Sequence, residues 1–187
     1  MIETLVRHFQ ERIRREPTVD YTWQEPPIRP RPPVSAEVLA EAEARLGFPL
    51  PPLLRALYTQ VGDGGYGPGR GLHYLLGDDW SLVAHAERTC VAAAAAGDPW
   101  WPPRLVEFVS WGDHYTSCVD CSGPPYPVWF YDNDCNVGDA TQADYLYPEA
   151  DSLEDWLWAW LDGVDLLAVG PWMRKHAEQV AADRPRE

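Results

Sequence analysis

The chain is poor in cysteine, with 4 in 187 residues, at positions 90, 118, 121 and 135. That is too few for a disulfide framework, and a chain of this length can bury a core without one. No apolar run reaches the length of a membrane span, and the N-terminal stretch lacks the uninterrupted apolar segment of a secretory signal. Instead Ile2, Leu5, Val6, Phe9 and Ile13 recur on one face of an amphipathic helix. These absences predict a soluble protein in a reducing compartment, the cytoplasm. Positive charge is scarce too. With 15 Lys and Arg against 29 Asp and Glu, the formal net charge is −14. A field of that sign repels nucleic-acid phosphates and anionic lipid and speeds encounter with a basic protein. Acidity also serves solubility alone, so the charge supports a partner hypothesis without creating one.

Signatures of catalysis and of metal binding are missing as well. The five histidines, at 8, 73, 85, 114 and 176, pair with no Ser or Cys nucleophile in any recognisable spacing, and there is no His-Glu-x-x-His helix. His114, next to Asp113 in a Trp-Gly-Asp-His turn, is the one spot to watch. Cys118-Val-Asp-Cys121, with Cys135 and His114 nearby, invites a zinc reading. Three residues apart on a predicted strand, however, the two thiols face opposite sides, which argues against both a closed zinc site and a redox pair. Asp132-Asn-Asp134-Cys-Asn136-Val-Gly138 is spaced like the start of a calcium loop, but its glycine comes one residue late and Ala143 stands where the bidentate glutamate belongs. A polar turn accounts for the same residues. The glycine-rich residues 62–71 lack the Gly-Lys-Ser/Thr ending of a phosphate cradle and present Asp63 to any anion. The expectation is a protein that is not an enzyme, with no catalytic residue, metal or cofactor.

What is present is organised around residues 34–76. Ser35 is placed to cap a helix in which Val38 or Leu39, Ala42 and Leu46 form a narrow apolar face, and Gly47 stops it. Phe48-Pro49 then forces an extended link, with Phe48 expected to pack inward. Pro51 and Pro52 start a second helix bearing Leu53, Leu54, Leu57, Tyr58 and Val61, which ends at Gly62 before the glycine loop. Residues 72–76 read as a short strand and residues 82–96 as an alanine-rich helix. Three antiparallel strands follow, around residues 105–111, 115–122 and 128–131, with a Gly123-Pro124-Pro125 turn between the last two. Asp151-Ser152 caps a final core helix. Leu153, Trp156, Leu157, Trp160 and Leu161 share its inward face, and Trp158 falls opposite. Residues 16–33 form a proline-rich surface connector pinned by Tyr21 and Trp23, and a weak helix runs from Pro171 to about Asp183. No internal repeat is visible. The pattern predicts an α+β fold, a mostly antiparallel sheet packed against several helices, divided as an N-terminal helix and connector (1–33), a core (34–163) and a helical tail (164–187).

Four motifs in that order carry a resemblance. AEARLGFPLPPLLRALYTQVGDGGYGPG, GDPWWPPRLVEFVSWGDHYTSCVDCS, PVWFYDND and SLEDWLWAWLDG together resemble the SUKH superfamily, the Smi/Knr-type family, over about residues 34–163. The resemblance implies a non-enzymatic binding protein. In bacteria such proteins are immunity proteins that neutralise toxins of polymorphic or contact-dependent systems, and the fungal branch consists of regulatory interaction proteins. For this chain it implies a basic toxin as partner, with no nucleic acid and no membrane. The contact carboxylates would be those in predicted loops: Asp63, Asp78, Asp79, Asp113, Asp132, Asp134 and Asp139. Trp80, Trp100 and Trp101 are the exposed aromatics expected to anchor the partner. A scaffold module with no toxin partner, and a metal protein or enzyme using the cysteine and aspartate loops, are the alternatives.

Overall fold

The computed structural model describes residues 1–16, 28–77, 79–95, 101–112, 114–132 and 145–170. Helix α1 (Ile2–Arg15) turns Leu5, Val6 and Phe9 inward, on the face its spacing predicts. In α2 (Ala36–Leu46) the Ser35 hydroxyl accepts from the Val38 N–H, and Gly47 closes the helix at φ 80°, where a side chain would be strained. Helix α3 (Pro52–Gln60) starts behind Pro51 and buries Leu53, Leu54, Ala56, Leu57 and Tyr58. Glu43 stitches the link between the two helices. Its carboxylate accepts from the Leu50 N–H at 2.8 Å and pairs with Arg55 at 3.2 Å.

Helix α4 (Leu82–Ala95) leads into a four-stranded antiparallel sheet whose spatial order follows the sequence: β1 (Leu105–Gly112), β2 (Tyr115–Asp120), β3 (Val128–Asp132) and β4 (Leu146–Ala150). Helix α5 (Leu153–Leu161) begins at Ser152, whose Oγ accepts from the Asp155 N–H at 3.0 Å, and a four-residue helix α6 (Leu166–Val169) follows. The main core lies on one face of the sheet, where α1, α2, α3, the start of α4 and α5 meet Val106, Phe108, Val109 and Val119. A smaller cluster on the other side joins Ala93, Trp101, Leu105, Cys118 and Tyr131. Cys118 belongs to the smaller cluster and Cys121 to the main one, so the two thiols do face apart. Burial pushes Cys118 well up and Cys121 up to about 12, which keeps both protonated.

Several expectations are corrected. Residues 72–76 form no strand: Leu72 makes one bridge to Val109 and the His73 N–H reaches the Phe108 carbonyl at 2.9 Å. The Leu75 N–H then goes to the Asp63 carboxylate at 2.7 Å, which removes it from any ladder. Strand β4 was not foreseen. Phe48 is half-buried at the edge of the core, beside the Arg104 guanidinium, while Leu50 takes the inward position. Trp101 is not an exposed anchor. Its ring is buried against Tyr131 at 5.0 Å, and its Nε1 donates to the Leu105 carbonyl at 2.9 Å. Of the tryptophans in α5 only Trp156 is fully inside. Trp160 stacks on Phe9 at 5.1 Å beneath Arg12, and Trp158 meets His8 edge-on at 5.1 Å, so α1 covers the flank that would otherwise face water. The expected tail helix from Pro171, and Tyr21 and Trp23 of the connector, lie outside the described residues.

Phe9 is fully buried and Phe48 is not, which separates their energetic weights. Phe9→Ala should destabilise by about 3–5 kcal/mol, and Phe48→Ala by clearly less, in urea unfolding. Equal losses would contradict the edge position of Phe48.

Candidate functional site

The glycine loop after α3 sets the site's geometry. Its Tyr66 hydroxyl, fully buried, donates within reach of the Leu57 and Gly62 carbonyls at 3.1 and 3.2 Å. A Cβ at Gly64, whose φ is 65°, would stand 2.6 Å from the His73 carbonyl oxygen, so only glycine lets the loop lie this close to the returning chain. The return delivers His73 to the edge of β1. There its ring stacks on that of His85 from α4, with centroids 4.7 Å apart and planes 23° from parallel.

Glu107 of β1 completes the cluster. It is only 6% exposed, and its carboxylate receives the Thr89 hydroxyl at 2.9 Å and faces His85 Nδ1 at 3.6 Å. Burial alone would raise the Glu107 pKa, but the bond and charge of His85, with Thr89 and His73, bring it below the usual carboxylate value. His73 is pushed down to about 4, chiefly by burial and then by His85, so it is neutral at physiological pH. The Nε2 atoms of both histidines are buried with no hydrogen-bond partner. Each such atom costs on the order of 1–3 kcal/mol if nothing binds it.

These groups floor a cleft of about 830 Å³. Its walls are apolar and aromatic at Leu72, Tyr74, Trp80, Ala92 and Tyr131, and carry the cationic side chains Arg70 and Arg88 with His114. The arrangement can accept and donate hydrogen bonds and hold a ring or an anion. No group of three or more His, Cys, Asp or Glu able to hold a metal occurs among the described residues.

The residues foreseen from sequence are divided by the structure. Trp80 is 70% exposed at the cleft, with exposed Asp79 beside it. Asp132 ends β3 opposite Tyr115 and follows the cleft-lining Tyr131. Asp63 is turned inward to the Leu75 N–H, and burial raises its pKa. Asp78, Asp113, Asp134, Asp139, Trp100 and Cys135 lie outside the described residues. The sequence shows His73 and His85 without a recognisable pairing and gives no sign of Glu107, because a loop, a helix and a strand bring the three together and no fixed spacing announces them.

A second carboxylate, the half-buried Glu149, projects from β4 toward α5. Glu149 accepts from the Ser117 hydroxyl at 2.7 Å and from Trp156 Nε1 at 2.8 Å, and Trp111 Nε1 donates to the same Ser117 oxygen at 2.7 Å. Burial nonetheless pushes its pKa up to about 7, the two bonds offsetting only part of the desolvation.

A model of the SMI1 / KNR4 family (SUKH-1) matches residues 33–158, from just before α2 into α5. No curated protein matches the chain.

The two perturbed groups act oppositely on stability. The folded state keeps the Glu149 proton up to about pH 7, whereas its ordinary value is 4.5, so its contribution is full below pH 4.5 and is lost as pH rises through 7. His73 sheds its proton down to about 4 against an ordinary 6.5, so its contribution is full above pH 6.5 and is lost as pH falls through 4. Glu149→Gln should therefore gain stability from pH 5 to pH 7.5 more steeply than the parent, by on the order of 2 kcal/mol. Urea unfolding across that range measures it, and parallel pH curves would refute the raised pKa of Glu149.

Proposed function

Because the chain belongs to the SMI1 / KNR4 (SUKH-1) family, we propose that it is a non-enzymatic immunity protein that neutralises a toxin of a bacterial polymorphic or contact-dependent system. The family match across residues 33–158 carries this reading. The mechanism is blockade by an acidic surface. With a net charge of −14 the protein attracts a basic toxin, such as one that must hold nucleic acid, and lies over the face the toxin needs for its substrate. Association occurs in the cytoplasm and involves neither nucleic acid nor membrane.

The cleft rim supports a location for the contact. Trp80 holds out a large ring, 70% exposed, and a central aromatic surrounded by polar groups is the usual anchor of a protein interface. Asp79 adjoins it, and Asp132 follows Tyr131 on another side of the same cleft. Asp78, Asp113, Asp134 and Asp139 are the further contact carboxylates proposed from the sequence.

The product of a gene adjoining this one should be toxic when expressed alone and tolerated when this protein is co-expressed. In purified form the pair should associate more slowly as salt rises, because exposed charges are screened beyond about 8 Å at physiological ionic strength, while dissociation changes less. Replacing Asp78, Asp79, Asp132 and Asp134 together by Asn should slow association and weaken protection with the fold intact. Unaltered association would move the interface off this rim, and absence of any protected toxin would overturn the immunity reading.

A further inference from the structure

We propose that the cleft over His73 is a binding site for an uncharged two-ring aromatic molecule whose N–H or O–H edge donates to the orphaned Nε2 of that histidine. This goes beyond the toxin reading, requires no protein partner, and stands or falls without it.

The orphaned nitrogen is the first observation. One nitrogen of the His73 ring is bonded to the Trp80 backbone, and because that bond favours the protonated ring, the nitrogen that makes it is the donor. The ring is nonetheless neutral at physiological pH, since burial pushes its pKa down to about 4. A neutral imidazole carries one N–H only. Nε2 is therefore a bare acceptor, shielded from water and without a hydrogen-bond partner among the described residues. Native proteins seldom leave such an atom unmet, and this one belongs to a ring that lines a cleft. What it lacks is a donor.

The same burial sets the charge of the ligand. Desolvation is the chief reason His73 resists protonation, and an environment that penalises a charge on the imidazole also penalises one brought against it. An uncharged donor avoids that cost.

The walls set the shape. The His73 ring is stacked on that of His85, with centroids 4.7 Å apart and planes 23° from parallel, which holds the imidazole plane whatever the charge of His85. A hydrogen bond to an imidazole nitrogen lies in the ring plane, so a flat molecule meets it by an edge and rests its faces on neighbouring side chains. Leu72, Tyr74, Ala92 and Tyr131 line the cleft, and the Trp80 ring, 70% exposed, leans over His85 at 5.8 Å. Aromatic surfaces of this kind pack on flat rings. At about 830 Å³ the cleft is of the size that takes small organic molecules, and it is roomier than a single ring needs.

The test is calorimetric titration of the full chain with indole, 2-naphthol and isoquinolin-1-one. Each is paired with its methylated counterpart, which has the same rings and no donor: 1-methylindole, 2-methoxynaphthalene and 2-methylisoquinolin-1-one. At least one donor-bearing molecule should bind with Kd below about 1 mM, and its methylated counterpart about tenfold or more weakly. Binding should also move the Nε2 15N resonance of His73. In His73→Phe, which keeps a ring and removes the acceptor, the preference for the donor-bearing molecule should disappear. Trp80→Ala should weaken binding by about three- to tenfold, and because Trp80 is exposed this variant remains informative if His73→Phe does not fold. No binding below about 1 mM by any of the three, equal affinity for the methylated counterpart, a preference that survives in His73→Phe, or unchanged affinity in Trp80→Ala would each overturn the proposal.

Discussion

The arrangement of the molecule depends on a close backbone contact, that of the glycine loop with the chain that returns after it. The Gly65 N–H donates to the Leu72 carbonyl at 2.8 Å and the Leu72 N–H donates back to the Tyr66 carbonyl at 2.7 Å, a reciprocal pairing across a few residues. A Cβ at Gly71 would lie 2.8 Å from the Tyr66 nitrogen, so the loop cannot fold on itself with a larger residue there. Everything downstream inherits this closure. The Arg70 and His73 N–H groups donate to the Ser110 and Phe108 carbonyls of β1, which fixes the loop against the sheet edge, and Asp63 reaches across to hold Leu75. The cleft is the space left between that edge and α4.

Features governed by local physics were legible in the sequence. Ser35 and Gly47 bound α2 because a hydroxyl cap and a left-handed stop act within one turn. The alternation that separates Cys118 from Cys121 is likewise a property of an extended chain. What failed was decided by partners far along the sequence. Residues 72–76 are apolar enough for a strand, but the Asp63 carboxylate competes for the Leu75 N–H. Strand β4 reads poorly because Pro148 interrupts its donors and none of its residues is fully buried, as suits an edge position. The helical phase of α5 was sound for Leu153, Trp156 and Leu157, yet the burial of Trp158 and Trp160 depends on α1, almost the whole chain away.

Buried charge shows the same division between type and environment. Glu107 and Glu149 are the same side chain, both accepting two hydroxyl or ring N–H contacts, and their pKa values move in opposite directions. The difference is His85. The bond and charge of His85, with Thr89 and His73, offset the desolvation of Glu107, whereas the donors from Ser117 and Trp156 offset only part of that of Glu149. The composition counts both as one negative charge each, and a net charge of −14 therefore describes the outer surface better than the interior.

That distinction bears on how one fold can host two kinds of contact. A protein partner meets what projects, and here the rim projects Trp80 and Asp79. A small ligand meets what is recessed, and the recess holds arginine side chains and two buried histidine nitrogens without a hydrogen-bond partner. Trp80 belongs to both, since the ring that stands 70% exposed at the rim also lies against His85. Whatever fills the recess therefore touches the exposed side chain proposed above as the partner's anchor. If the rim is the partner-binding face proposed above, a ligand in the recess and the partner would be coupled to the extent that each prefers one position of the Trp80 ring.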